Sequence, residues 1–199
     1  MTYDSEALKH LYKSHLPDMK ISYHSFDLNS ERGLVMAGRS LPPDEYLRWR
    51  KRYVLYRSSH SETEKLKRWV HGYWDMIPNR ENDSCWLCPH SKLPSGRNGR
   101  ISKHVYFRTS TGGHQISFNF GIVALLVEGR LRNFHKEMII KESWELSHLC
   151  GNWTCLNPRH FTIESGSINQ SRKICFRRHR CDHNLPCKIE KKRPLSELA

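Results

Sequence analysis

Histidines and cysteines are concentrated in the last third of the chain, at spacings that suit metal binding. The stretch SHLCGNWTCLNPRH holds two histidines and two cysteines in fourteen positions, and Cys150, Cys155 and His160 follow a C-x4-C-x4-H pattern. Structural zinc is held by four such ligands in a tetrahedron, so these three need a fourth from elsewhere. Cys85 and Cys88 are the cysteines that can supply it, and the spacing does not choose between them.

A second group of candidate ligands follows in the thirteen-residue stretch CFRRHRCDHNLPC, which contains Cys175, Cys181, His183 and Cys187. Two sites of three cysteines and one histidine would use six of the seven cysteines. Because four protein ligands leave no open position for water, such sites are structural rather than catalytic. Few large apolar residues surround this second group, so we expect metal binding to supply the free energy that folds it.

The composition predicts a polyanionic partner and an intracellular location. Lys and Arg total 33 against 20 Asp and Glu, a formal net charge of +13, which favours nucleic acid. No apolar run approaches the roughly 18 residues that span a bilayer, so we expect no membrane partner. The first residues lack the basic and apolar segments of a secretory signal, which predicts a reducing compartment where cysteines bind metal rather than form disulfides.

Residues 1–84 contain no cysteine and are predicted to form a basic, mainly helical N-terminal extension. One helix begins at Pro43, because proline is favoured in the first helical turn. A second helix is predicted from a capping-box pattern formed by Ser61 and Glu64 and from apolar residues at helical spacing. The basic side of this helix is either a solvated face or a phosphate-binding surface, and the solvated face is slightly favoured.

Alternating residues in ISKHVYFRTS predict a strand after this extension. Val105 and Phe107 lie on one face of the strand. The opposite face carries three polar side chains, namely His104, Tyr106 and Arg108. A TGG turn at 111–113 is predicted to end it.

A buried helix over 116–129 is predicted next, with Gly129 able to end it. SWELSHL then predicts a strand that leads into the cysteine-rich loop, and Asn157 followed by Pro158 begins a short helix. His148, at the end of that strand, is not needed as a zinc ligand. Taken alone, it is interpreted as an ordinary histidine that makes one hydrogen bond.

The segments SHLCGNWTCLNPRHF and ESGSINQSRKIC together closely resemble the His-Cys box of homing endonucleases, which belong to the His-Me finger (ββα-metal) nucleases. The motifs S-H-L-C, N-P-x-H, E-S, N-x-x-R-x-x-C and C-x-H-x3-C occur in this order, and the resemblance extends from Cys85 to Cys187. It implies an α+β fold in which residues 85–199 form a zinc-stapled ββα-metal core with an antiparallel sheet and a basic tail. The helical extension over 1–84 precedes this nuclease domain.

The resemblance also implies roles for individual residues. His148 would be the general base that activates water, and Asn169 would ligate one catalytic Mg2+. Cys85 is preferred as the upstream zinc ligand because CWLCP aligns with the family's C-aromatic-x-x-P, and Cys88 remains the alternative. Two structural Zn2+ ions are implied, the first held by Cys85, Cys150, Cys155 and His160 and the second by Cys175, Cys181, His183 and Cys187.

DNA contacts are expected from the strands and the basic tail. The family places an arginine near the scissile phosphate, and the nearest equivalents here are His114 and Arg108. Arg172 and its neighbours add positive charge, since residues 170–193 carry nine Lys and Arg against two acids. The resemblance further implies an antiparallel sheet in the major groove and a homodimer on pseudo-palindromic double-stranded DNA.

These features predict a Mg2+-dependent, site-specific double-strand DNA endonuclease of the homing type. The main alternative is a catalytically inactive zinc-containing DNA-binding module on the same scaffold. Retention of both His148 and Asn169 argues against this module, whereas the unassigned arginine supports it. A zinc-stapled protein-interaction domain fits the charge of +13 least well. The basic segment KIEKKRP is a weak nuclear-import signal, so a nuclear location is expected.

Overall fold

The computed structural model of the protein describes residues 42–89, 92, 101–109 and 112–189, all within the compact unit Ser40–Ala199. Among these residues the chain forms five α-helices and two two-stranded antiparallel sheets, which confirms the predicted α+β class. In chain order the elements are α1 (Pro43–Arg57), α2 (His60–Trp74), β1 (Ser102–Thr109), β2 (Gly112–Asn119), α3 (Phe120–Val127), α4 (Asn133–Lys141), β3 (Glu145–His148), a 3₁₀ turn (Pro158–His160), β4 (Phe161–Glu164) and α5 (Gly166–Arg178).

Three predicted features fall partly outside the described residues. These are residues 1–41 of the N-terminal extension, Thr111 of the predicted turn, and most of the segment KIEKKRP. In the part of the chain that the structure does describe, no helix is both long and apolar enough to cross a membrane.

The capping box of α2 lies two residues earlier than the predicted Ser61–Glu64 pair. Ser59 Oγ accepts a hydrogen bond from the Glu62 amide at 3.2 Å, and Glu62 Oε2 accepts one from the Ser59 amide at 2.7 Å. Both pairs satisfy the S-x-x-E pattern, but Ser59 has the extended backbone that an N-cap requires. Glu64 instead accepts a hydrogen bond from Lys67 Nζ at 2.8 Å on the helix surface.

The hairpin formed by β1 and β2 has a buried and an exposed face, as the alternation predicted. The strands pair antiparallel from Ser102 opposite Asn119 to Thr109 opposite Gly112. Val105 and Phe107 are buried against the helices. The opposite face is exposed and carries His104, Tyr106 and Arg108, with Tyr106 68% accessible. Gly112 begins β2 at φ +131°, a backbone conformation that glycine adopts without strain.

The predicted buried helix over 116–129 is wrong in its first four residues, which extend β2 instead. Ile116 and Phe118 are buried while Ser117 between them is exposed, and this two-residue period is that of a strand. Asn119 then caps α3, since its Oδ1 accepts a hydrogen bond from the Gly121 amide at 3.0 Å. The short apolar run is compatible with either a helix or a strand, and the exposure of the polar Ser117 indicates a strand.

The helices α1 and α2 of the N-terminal extension pack on later segments of the described unit, including the cysteine-rich loop. Trp74 at the end of α2 donates from Nε1 to the Leu156 carbonyl at 3.0 Å, inside the cysteine-rich loop. Lys51 of α1 donates from Nζ to the Ile139 carbonyl of α4 at 2.9 Å. These contacts join α1 and α2 to the rest of the described unit.

The strands β3 and β4, with the cysteine-rich loop between them, lead directly into α5. They pair antiparallel from Glu145 opposite Glu164 to His148 opposite Phe161. Ser165 caps α5 by accepting a hydrogen bond from the Ile168 amide at 3.4 Å. This strand–loop–strand–helix unit is the ββα core that the resemblance implies.

Candidate metal centres and active site

The first cluster of candidate zinc ligands joins the loop to an upstream cysteine. Its four ligand atoms lie within 4.8 Å of one another, and the residues are Cys85, Cys150, Cys155 and His160. His160 Nδ1 is 3.5 Å from Cys155 Sγ and 3.6 Å from Cys85 Sγ. A zinc tetrahedron with metal–ligand bonds of about 2.0–2.3 Å has ligand–ligand edges of about 3.3–3.8 Å, so the donor set fits zinc.

The upstream segment reaches the loop through backbone pairing, which places Cys85 rather than Cys88 in the cluster. Leu156 donates its amide to the Trp86 carbonyl at 2.7 Å, and the Cys88 amide donates to the Thr154 carbonyl at 3.0 Å. Alternate residues of an extended segment face opposite ways. The thiol of Cys88 is buried and directed to the Pro89 carbonyl, at 3.7 Å, and burial raises its pKa.

The sulfur atoms of this first cluster share protons unequally. A hydrogen bond between the Cys155 and Cys150 sulfur atoms lowers the pKa of Cys150 and raises the pKa of Cys155. Zinc binds thiolates, and its binding therefore displaces the proton that remains on Cys155.

The second cluster is assembled by the end of α5 and the chain that follows it. Its ligand atoms also lie within 4.8 Å of one another, and the residues are Cys175, Cys181, His183 and Cys187. His183 Nδ1 is 3.3 Å from the Sγ atoms of both Cys175 and Cys181. Each predicted set of four is therefore brought together in space, and either cluster could hold zinc.

A hydroxyl group fixes the tautomer of His183. Ser171 Oγ lies 2.7 Å from His183 Nε2 and donates its own proton to the Ile168 carbonyl at 2.7 Å. The hydroxyl oxygen must therefore accept from Nε2–H, which leaves the Nδ1 lone pair directed at the sulfur atoms. Such outer hydrogen bonds orient metal-binding histidines.

Arg172 occupies a position that differs from the expected DNA contact. Its side chain is 4% exposed and forms two hydrogen bonds with the Glu164 carboxylate, from Nε at 2.7 Å and from Nη2 at 2.8 Å. Its Nη1 donates to the Leu185 carbonyl at 2.8 Å and to Cys187 Sγ at 3.4 Å. The guanidinium therefore connects β4 to the second cluster and is not available to DNA.

His114 also differs from its expected role near the scissile phosphate. It lies on the inner face of the hairpin, where its Nδ1 is 2.7 Å from the Tyr46 hydroxyl and its ring centroid is 4.7 Å from that of Trp49. Burial lowers the pKa of His114, and the nearby Arg50 lowers it further, so the ring is neutral near pH 7. The α1 helix covers this histidine because aromatic residues of both elements pack together.

His148 lies at the end of β3 with one ring nitrogen unpaired. Its ring meets Phe161 edge to face, with centroids 5.1 Å apart. The Nδ1 atom is buried and has no hydrogen-bond partner among the described residues. Burying an unpaired polar atom costs about 1–3 kcal/mol, so this arrangement is unusual for a residue that only packs.

Asn169 is held on α5 by two residues of β3. Ser147 Oγ donates to Asn169 Oδ1 at 2.9 Å, and Asn169 Nδ2 donates to Glu145 Oε1 at 3.0 Å. An amide oxygen is a hard ligand that suits Mg2+, so the residue type fits the implied ion. Sequence reasoning missed Glu145 and Ser147, although their i, i+2 spacing places both on one face of the predicted strand.

The candidate catalytic side chains line one cavity of about 970 Å³. His148 and Asn169 both line it. Lys173, one helical turn after Asn169, lines it as well, and so does Trp153, which is 54% exposed on the cysteine-rich loop. A histidine, an amide oxygen and a lysine around one cavity can supply a base, a metal ligand and a cation.

A comparison with models of known families identifies the family of this chain. Residues 84–194, more than half of the chain, match the family model described as the zinc-binding loop region of homing endonuclease, and both clusters lie inside the match. Comparison with curated proteins and with solved structures gives no significant match. The chain therefore belongs to the homing endonuclease family that carries this zinc-binding loop.

Proposed function

We propose that the protein is a Mg2+-dependent endonuclease that cuts both strands of DNA at a specific site. The observation that carries the proposal is the shared cavity, in which His148 from β3 and Asn169 from α5 line one space. Each of these elements is followed by a metal cluster. The first cluster lies in the loop after β3, and the second begins at the end of α5. Zinc would then hold the reacting groups in place, as such a site requires.

His148 would act as the general base. Its ring lines the cavity, so an imidazole nitrogen can accept a proton from a water molecule that attacks the phosphate. A neutral imidazole suits this step near pH 7, because its ordinary pKa lies close to the working pH. The edge-to-face contact with Phe161 holds the ring in one orientation.

Asn169 would hold the catalytic ion through Oδ1. When bound there, Mg2+ supplies Lewis acidity and neutralises charge on the phosphate and on the leaving oxygen. The hydrogen bonds to Ser147 and Glu145 fix the Asn169 amide before any ligand arrives. Preorganised ligands avoid a reorganisation cost during the reaction.

Lys173 would provide the phosphate-binding cation, since His114 lies against α1 and is not among the residues that line the cavity. The lysine is exposed, lines the cavity and follows Asn169 by one helical turn. An ammonium at this position would face a phosphate bound near Asn169. Arg108 remains on the exposed face of the hairpin and would contact DNA there rather than in the cavity.

The hairpin would read the DNA sequence. A two-stranded ribbon fits the major groove, and side chains on its exposed face reach base edges. The exposed side chains of β1 are suitable for this, and they are His104, Tyr106 and Arg108. A homodimer would present two such hairpins to a pseudo-palindromic site, and a nuclear location would match a chromosomal target.

A DNA-binding module without catalysis remains the second candidate. The position of His114 favours it, because this half-exposed side chain contacts Tyr46 and Trp49 of α1 and is not among the residues that line the cavity. The two candidates differ in a single measurable property, which is bond cleavage by zinc-loaded protein.

The test is cleavage of a supercoiled plasmid library with random inserts, followed by sequencing of the new ends. Wild type should cut in Mg2+ and not in EDTA, while His148→Ala and Asn169→Ala should lose cutting and keep zinc and DNA binding. The matched controls His71→Ala and Asn79→Ala change exposed residues and should cut normally. Folded, zinc-loaded wild type that binds DNA without cutting it would establish the binding module instead.

A further inference from the structure

Glu145 is a carboxylate that lines the cavity and has been given no direct contact with DNA or metal in the proposed reaction. It lies on β3 directly opposite Glu164 of β4, yet the two carboxylates have different partners. Glu164 is buried and paired with Arg172, whereas Glu145 has no ion pair with a described residue. A carboxylate without a counter-ion at the edge of a phosphate-binding cavity repels DNA, so its presence calls for a function.

The hydrogen bonds around Asn169 define which way its amide points. The Asn169 NH2 group faces Glu145 and donates from Nδ2 to Oε1 at 3.0 Å, since a carboxylate oxygen accepts hydrogen bonds. The oxygen Oδ1 then lies on the other side of the amide, where it accepts from Ser147 Oγ at 2.9 Å. A serine hydroxyl could donate or accept, and alone it would permit either orientation. The carboxylate is therefore the group that selects the orientation.

We infer that Glu145 is the positioning residue for the metal ligand of this site, an inference that rests on the proposed function. By holding Nδ2, Glu145 presents Oδ1 as the atom that ligates the divalent cation. The Oδ1 atom has two lone pairs, so one accepts from Ser147 and the second is free to bind metal. A rotated amide would offer NH2 to the cation and could not bind it.

A merely structural role for Glu145 has to be separated from this one. A Cβ added at Gly166 would lie 3.4 Å from Glu145 Oε1, so the carboxylate also lies against the first turn of α5. The positive end of the helix dipole favours an acid there and would gain a little stability from it. That effect depends on charge, whereas the positioning of Asn169 depends on an acceptor oxygen at the correct distance.

Two substitutions of Glu145 separate the effect of the position of its acceptor oxygen from the effect of its charge. Glu145→Gln keeps the length of the side chain and an acceptor oxygen but removes the charge, whereas Glu145→Asp keeps the charge and withdraws the oxygen by one methylene. Full-length, zinc-loaded proteins are titrated with Mn2+ alone, and free Mn2+ is counted by electron paramagnetic resonance. The metal concentration for half-maximal plasmid cutting and the thermal unfolding midpoint are recorded for the same proteins. Glu142→Gln, an exposed acid just before β3, is the matched control.

Positioning predicts that Glu145→Ala and Glu145→Asp, which leave no oxygen within reach of Asn169 Nδ2, lose about 10–100-fold in Mn2+ affinity, the usual range for groups that orient a metal ligand. Glu145→Gln should lie between these variants and wild type, because its amide can turn either its oxygen or its NH2 group toward Asn169. Tighter binding by Glu145→Asp, or equal binding by all variants, overturns the inference while wild-type cutting leaves the proposed function intact. Wild type that neither binds Mn2+ nor cuts DNA overturns both.

Discussion

Replacing Arg172 by methionine tests the role that the structure gives this residue. The guanidinium is buried with Glu164 and makes four hydrogen bonds, two to that carboxylate, one to the Leu185 carbonyl and one to Cys187 Sγ. Methionine fills most of the volume but leaves the Glu164 carboxylate buried without its counter-ion. We expect the free energy of unfolding to fall by about 3–5 kcal/mol, the usual cost of removing one partner of a buried ion pair.

A loss of this size is a large share of the roughly 5–15 kcal/mol that stabilises a domain. It should appear in urea unfolding at fixed zinc concentration, because bound metal adds its own stabilisation. Removing the second charge as well, in the double variant Arg172→Met with Glu164→Leu, should recover most of the loss, since an apolar pair leaves no buried charge. Zinc binding at the second cluster should weaken with Arg172→Met in both proteins, because Cys187 loses a donor.

Arg178→Met is the control, since this arginine lies on the same helix and is exposed. It should change unfolding by less than about 0.5 kcal/mol and weaken DNA binding, as loss of a phosphate contact does. The reasoning is refuted if Arg172→Met unfolds like wild type and loses only DNA affinity. That result would mean that Arg172 contacts DNA, as its position in the sequence had suggested.

Three further outcomes follow from the geometry. Removing zinc with a strong chelator should abolish cooperative unfolding of the region after β3, measured by circular dichroism, and added zinc should restore it. Lys173→Gln should slow plasmid cutting about 100-fold with unchanged unfolding, whereas Arg177→Gln should not. Because the pKa of His114 is lowered in the folded protein, the unfolded chain takes up this proton at a higher pH than the folded chain does. The free energy of unfolding should therefore fall as the pH drops below about 6.5. His114→Asn should flatten this dependence of the unfolding midpoint on pH.

Much of the candidate site could be predicted because its signals are local or tied to a motif. The cysteine and histidine spacings describe the two clusters, and the structure brings each set of four together. The preference for Cys85 over Cys88 came from the family pattern, and the structure agrees. Spacing alone could not decide it, because the choice depends on how one extended segment pairs with a loop about seventy residues later.

The errors occurred where packing against another element decides a residue's contacts and where two local patterns overlap. Arg172 was expected to contact DNA as part of the basic tail, but it pairs with Glu164, and His114 was expected near the scissile phosphate, but it contacts α1. The capping box was misplaced by two residues because two S-x-x-E patterns overlap and only the backbone of Ser59 is extended. Charge and periodicity indicate which contacts a side chain is able to form, whereas packing against another element determines which of them it forms.

Because Cys85 lies far from the other ligands of the first cluster in sequence, zinc bound there would also restrict the unfolded chain. Cys85 and His160 are 75 positions apart, so zinc bound between them acts as a cross-link and closes a long loop. Closing a loop of that length in the unfolded ensemble removes conformational entropy worth about 4.5 kcal/mol, by the relation used for disulfides. The hairpin and α3 both lie within the closed loop. Zinc at this position would restrict the unfolded chain as a disulfide does, but through a bond that survives in reducing conditions and reverses when the metal is withdrawn.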